Sequence, residues 1–272
     1  MSGKKIAIVT GASSGMGREM VYLLADHFAA LEEIWVIARR KDRLEELVGK
    51  VPVSLRILPF DLSDEEDLCM LSGLLKQEQP NVKILVNGAG YGKTGAAGTI
   101  PGALSTGMVR LNDEALVAVT EMVLPYISGN SRIIQFASAA AFMPQPGFAV
   151  YAASKSFVLS YSRALAAELK KREILFTFAS GRLPYMITPF AESLGIEIPV
   201  CACNGTLIYR KDEILENHPL RLLELRPLIE TALLREMTVL YSLNGTEYCM
   251  RENEAVRRKQ AERGSYHPIR PV

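Results

Sequence analysis

Short apolar runs that alternate with helix-patterned stretches constrain this chain more than any other feature. The runs are "IAIV" (6–9), "IWVIA" (34–38), "LRILPF" (55–60), "KILVN" (83–87), "RIIQFA" (132–137) and "ILFTFA" (174–179). Between them lie amphipathic stretches such as Arg18 to His27, Asp42 to Val48 and Asp64 to Gln77. Continuous runs rich in Val and Ile suit strands covered by helices on both faces. Strand–helix alternation predicts βαβ units and an α/β fold around a doubly wound parallel sheet. With 272 residues the chain can bury one large core or two small ones.

Bulk charge excludes several function classes. The net charge is +1, so no basic field invites nucleic acid or an anionic membrane. No apolar run approaches the ~20 residues of a membrane span. The opening "MSGKKIAIVTG" runs straight into a strand pattern, and its apolar part is too short for a signal peptide. The cysteines, Cys69, Cys201, Cys203 and Cys249, lack disulfide-rich spacing. These features predict a soluble cytoplasmic protein with free thiols. Cys201 and Cys203 read as two packed thiols, because no second ligand pair accompanies them. His27, His218 and His267 are scattered, so no metal site is expected.

The first chemical motif is "TGASSGMG", placed between the first strand and the first helix. Its candidate cofactor contacts are Thr10, Gly11, Ser13, Ser14, Gly15, Met16 and Gly17. The glycines let the backbone turn sharply and approach a pyrophosphate, whose charge sits at a helix N-terminus. A tight turn without a ligand is the alternative. Arg39 and Arg40 follow the second strand, where NAD binders usually place an acid for the ribose 2′-hydroxyl. Two arginines suit a 2′-phosphate instead, and hence NADP; a solvated basic turn is the other reading. Asp61, in "PFDLSD", either bonds an adenine amino group or caps the next helix.

The reaction chemistry lies further on. Tyr151 and Lys155, in "YAASK", are four apart and share one helix face. Ser138 lies just past the strand "RIIQFA", and Asn112 sits in the preceding helical stretch. A free tyrosine, with a pKa of ~10, is a poor base at neutral pH. A neighbouring ammonium and a positive nicotinamide ring favour the phenolate, so Tyr151 can exchange a proton with a carbonyl or alcohol oxygen. Ser138 would hydrogen-bond that oxygen as charge develops. Lys155 would also hold the nicotinamide ribose, and Asn112 would anchor a water relaying protons to Lys155. A Tyr–Lys pair alone is common on solvated helices; the ordered set is what argues for chemistry.

With "LVNGAG" (85–90) added, residues 1 to about 170 resemble a short-chain dehydrogenase/reductase in motif order and spacing. One departure is "NGAG" where that family usually has "NNAG"; Asn87 remains to steady the central sheet. The resemblance implies a Rossmann-type sheet and nicotinamide chemistry on an alcohol or carbonyl substrate. It adds Leu62, Asn87, Ala89, Gly90, Tyr151 and Lys155 to the cofactor contacts. It also implies a homodimer or homotetramer built through helices near 108–127 and 151–170. Leu116, Val117, Phe157 and Leu165 recur there on more than one face.

From about residue 172 the chain departs from that family. "FTFASGRLPY" (176–185) and "VCACNGTLIYR" resemble the sugar-phosphate phosphatases of the haloacid-dehalogenase-like superfamily. Ser180 matches that family's phosphate-binding hydroxyl, and Asn204-Gly205 its turn into a cap domain. The family's nucleophilic aspartate belongs to a "DxD" motif, and none follows any apolar strand here. The expected organisation is therefore a reductase core (1–171) joined to a phosphatase-like fragment (172–272). Within the fragment, 174–203 would complete the sheet: "ILFTFAS" as a sixth parallel strand, a helix near 184–194, then "VCAC" as a seventh strand. Residues 206–272 would form a small α+β partial cap. A single divergent reductase with an unusual C-terminal part is the competing reading. A protein that only binds the dinucleotide is the alternative function, and a phosphatase is the least supported.

Overall fold

Five strands build the expected parallel sheet in the computed structural model of the chain. They are β1 (Lys5–Thr10), β2 (Glu33–Ile37), β3 (Ser54–Leu58), β4 (Asn81–Asn87) and β5 (Ile127–Gln135). Their spatial order is β3-β2-β1-β4-β5, and every pairing is parallel. The structure describes residues 3–141, 146–169, 177, 184–193, 196–203, 206–211, 213–219, 221–243, 246–263 and 269–271. Two compact units result, Met1–Thr177 and Phe178–Val272.

Alternation along β1 sorts its side chains onto two faces. Ile6 and Ile8 join a core with Trp35, Leu71, Leu75, Val119 and Leu165. Ala7 and Val9 join a second core with Val21, Leu24, Val36 and Leu44. The first core is closed by helices α3 (Glu65–Glu78), α5 (Ala115–Val123) and α6 (Ala149–Leu169), the second by α1 (Gly15–His27) and α2 (Lys41–Glu45). Each fully buried Leu, Ile or Val stabilises by about 1.5–3 kcal/mol. Strand order reverses direction between β1 and β4, and the crevice at their carboxyl ends is where such sheets take ligands.

One helix of the first unit is irregular. Helix α4 (Gly102–Val109) passes into a π turn, Arg110–Glu114, before α5. The Ala115 N–H reaches back five residues to the Arg110 carbonyl. The wider turn faces two consecutive polar residues inward, Asn112 at 0% and Asp113 at 8% exposure.

The second unit is α+β. It holds α7 (Pro184–Ser193), a sheet β6 (Val200–Ala202), β7 (Leu207–Arg210) and β8 (Glu213–Asn217), and α8 (Leu222–Leu234). A second sheet of β9 (Leu240–Leu243), β10 (Thr246–Cys249) and β11 (Arg270–Pro271) flanks α9 (Glu254–Arg263). The helix expected near 184–194 is present. The strand expected from "VCAC" corrects the sequence reading: β6 does not extend the parallel sheet but pairs antiparallel with β7. The backbone turns back at Cys203, whose φ is 54°, and the next strand is only a few residues away. A parallel pairing needs a crossover of a dozen or more residues, whereas a hairpin partner is local. Most of "ILFTFAS", Ser180 and Asn204-Gly205 lie outside the described residues. No described helix is long and apolar enough to cross a membrane.

Candidate functional site

The glycine loop is tied to the end of β4 by a single hydroxyl. Thr10 Oγ1 accepts hydrogen bonds from the N–H groups of Gly88 and Ala89, both at 3.0 Å, and donates to the Val86 carbonyl at 3.3 Å. Gly11 and Gly17 are needed for close approach: a Cβ on Gly17 would sit 2.4 Å from the Gly11 carbonyl oxygen. Gly15 has φ 56° and nothing within 4 Å of the position a Cβ would take. The loop thus leaves open space in front of the first turn of α1, the geometry a pyrophosphate requires. Met16 is 64% exposed beside that opening, and Ser13 is buried.

Arg40 and Arg39 separate in the structure. The Arg40 guanidinium donates through Nη2 to Ser13 Oγ at 3.0 Å and Ser14 Oγ at 2.8 Å, which lays it over the glycine loop. Arg39 instead approaches Asp61 Oδ2 at 3.8 Å. Asp61 does not cap the following helix. Asp64 does, accepting from the N–H groups of Glu66 at 2.8 Å and Asp67 at 3.3 Å. Asp61 Oδ1 closes a local turn by accepting from the Ser63 N–H at 2.9 Å. Leu62 is buried in the core next to it.

The loop after β4 explains the missing second asparagine. A Cβ on Gly88 would lie 2.7 Å from the Thr10 carbonyl oxygen and 3.1 Å from the Phe136 ring. Phe136 fills the space a larger residue would need. Asn87 retains a structural bond, donating through Nδ2 to Thr120 Oγ1 at 2.8 Å, both residues buried.

Lys155, Tyr151, Gly90 and Asn112 lie together beyond this loop. The Lys155 ammonium donates to the Phe136 carbonyl at 2.8 Å and lies 5.8 Å from the centre of the Tyr151 ring. A Cβ on Gly90 would stand 2.8 Å from Asn112 Oδ1 and 3.8 Å from Lys155 Nζ, so these three residues converge. Both amide hydrogens of Asn112 go to protein groups: the Tyr91 carbonyl at 2.9 Å and Ser154 Oγ at 3.1 Å. Its Oδ1 accepts from the Tyr91 N–H at 3.0 Å. Asn112 is therefore a clamp between the π turn, the β4 loop and α6. Ser154 continues the line by donating to the Tyr151 carbonyl at 2.8 Å. The Tyr151 ring stacks on Phe148, with centroids 4.3 Å apart. Ser138 Oγ accepts from the Ala140 N–H at 3.2 Å, which anchors the oxygen and leaves its hydrogen to donate.

Burial sets the electrostatics. It pulls the Lys155 ammonium below its ordinary pKa, and the charge of Asp113 pulls it partway back. Burial raises the Asp113 carboxyl from 3.8 to about 6, against the attraction of Lys155. Asp113 escaped the sequence reading. Its signal was an acid three residues before Leu116 and seven before Thr120, on a face that is otherwise buried. Cys201 and Cys203 are free, and burial raises both thiols.

The family model for short chain dehydrogenases matches residues 5–191, and that for haloacid dehalogenase-like hydrolases matches 152–270. The two matches overlap on 152–191, which includes most of α6. A very-long-chain 3-oxoacyl-CoA reductase from Anas platyrhynchos is 29% identical over 193 residues, covering 66% of this chain and 59% of its own. The chain thus spans a little over half the length of such curated relatives. Among solved structures, 3-ketoacyl-(acyl-carrier-protein) reductase from Brucella melitensis complexed with NADH is similar at TM-score 0.57 and 28% identity. That match covers 65% of this chain and 75% of the reductase. Serine dehydrogenase from Escherichia coli is similar at TM-score 0.59 and 25% identity, covering 72% of this chain and 95% of that one.

Proposed function

The chain belongs to the short-chain dehydrogenase family, and from that premise we propose an NADP-linked oxidoreductase that interconverts a carbonyl and an alcohol at Ser138, Tyr151 and Lys155. The observation that carries this reading is the anchored lysine. Lys155 is fixed on the Phe136 carbonyl beside the Tyr151 ring, one helical turn from it. The nicotinamide, when bound, supplies or accepts the hydride. The Ser138 O–H donates to the substrate oxygen as negative charge develops there. The Tyr151 O–H gives its proton to that oxygen in reduction, and the Tyr151 phenolate takes a proton from it in oxidation. The Lys155 ammonium stabilises the phenolate so produced, and Asn112 holds the helix carrying both residues. Arg40, positioned on Ser13 and Ser14, supports NADP over NAD because its guanidinium suits a 2′-phosphate.

In this reading residues 1–171 carry the reaction, and 172–272 are a joined phosphatase-like piece to which no reaction is assigned. Chains associate through the helices near 108–127 and 151–170, where Val109 and Phe157 are exposed. The protein acts in the cytoplasm on a small carbonyl or alcohol compound, without nucleic acid or membrane partners. The deciding experiment measures NADPH binding by fluorescence, then turnover with a panel of carbonyl compounds. Tyr151→Phe should lower turnover about 10²–10⁴-fold with NADPH binding largely intact, since the ring remains. A Tyr151→Phe enzyme with full turnover would refute the assignment.

A further inference from the structure

Two buried charged groups stand close to the reaction site without a direct partner for each other. Lys155 is 7% exposed and donates to a neutral carbonyl, that of Phe136. A buried ammonium tends to lose its proton unless a negative charge is near. Asp113 is 8% exposed, and its Oδ1 has no hydrogen-bond partner among the described residues. A buried carboxylate left in this way is costly, and such costs concentrate where a charge has a task. Asp113 follows Asn112 in the π turn, and Asn112 bonds Ser154, the neighbour of Lys155. The π turn and α6 are thereby tied together at the residues next to Asp113 and Lys155.

We infer that Asp113 is a positioning residue of the reaction site, a buried carboxylate whose charge acts through space to keep Lys155 an ammonium. The charged groups around it support this assignment. On its own turn Arg110 and Glu114 are exposed to solvent. From α6, Lys155 is the group that attracts it, with Tyr151 the other titratable side chain on that turn of helix. The raised Asp113 carboxyl is ionised at neutral pH and increasingly neutral below about 6. Lys155 accordingly has its counter-charge at neutral pH and loses it in acid. The purpose of this device rests on the proton-transfer reading above, but its test does not.

The test follows the protonation of Lys155 directly. Intact wild-type protein and Asp113→Asn are labelled with trace acetic anhydride across pH 6 to 11, and acetylation of Lys155 is quantified by peptide mass spectrometry. In Asp113→Asn the midpoint for Lys155 should fall by about one pH unit or more. Asp113→Glu should restore most of the difference, which a merely structural role does not require. Asp113→Ser replaces the asparagine variant if that variant does not fold. An unchanged Lys155 midpoint in a folded neutral variant overturns the inference. If the midpoint moves while every form lacks carbonyl turnover, the electrostatic assignment stands and the reaction reading fails.

Discussion

Replacing Asp113 by asparagine should make the protein more stable, and the gain should grow as pH rises. Burial lifts the folded-state pKa of Asp113 from 3.8 to about 6. The folded state therefore holds this proton more tightly than the unfolded chain does. Below 3.8 both states are protonated and the group is neutral in its effect. Between 3.8 and about 6 the wild type loses stability as pH rises, and above 6 the whole loss stands. A shift of roughly two units corresponds to ~3 kcal/mol at ~1.4 kcal/mol per unit. Solvent screening and the desolvation of the new amide reduce the net gain to ~1–2 kcal/mol. At pH 5 only about half of the loss has developed, so the gain should be about half as large. A domain of this size shifts its melting midpoint by ~2–4 °C per kcal/mol. Scanning calorimetry at pH 5.0, 6.0 and 7.5, at fixed ionic strength, reads both the sign and the trend. An asparagine variant that is less stable at pH 7.5, or equally shifted at every pH, refutes the reasoning. A stabilising substitution beside the reaction site is also what a charge kept for function predicts.

Three further outcomes follow from the same geometry. Arg40→Ala should weaken NADPH binding about 10–100-fold while leaving NADH nearly unchanged, since charge-assisted bonds to a phosphate are lost; equal losses for both cofactors in titration would count against the 2′-phosphate role. Gly88→Asn should destabilise by ~1–3 kcal/mol despite restoring the family's usual residue, because its Cβ meets the Thr10 carbonyl at 2.7 Å; an unshifted denaturation curve would contradict the close approach. Phe157→Glu should shift the protein to a smaller species in light scattering, since that ring is 43% exposed on the proposed association face; an unchanged mass would remove α6 from the interface.

Local periodicity and motif order determined most of the architecture. The runs at 6–9, 34–38, 55–60 and 83–87 became β1 to β4, and that at 132–137 became the end of β5, because continuous apolar segments need cover on both faces. "TGASSGMG" and "YAASK" were legible because their spacing is set by the turn and helix they occupy. Tertiary structure decided what depends on residues distant in the chain. It gave Arg40 to the glycine loop and turned Arg39 towards Asp61, although the two look alike in sequence. It set Gly88 against Phe136, so the departure from "NNAG" became a packing choice rather than a loss. It paired β6 with the adjacent β7 because a nearby hairpin partner is easier to reach than the edge of a parallel sheet. Above all, it buried Asp113 where its charge acts on Lys155, in a π turn that no local pattern announces. Periodicity tells a residue which face to occupy, but the charge that meets it there depends on how separate helices pack.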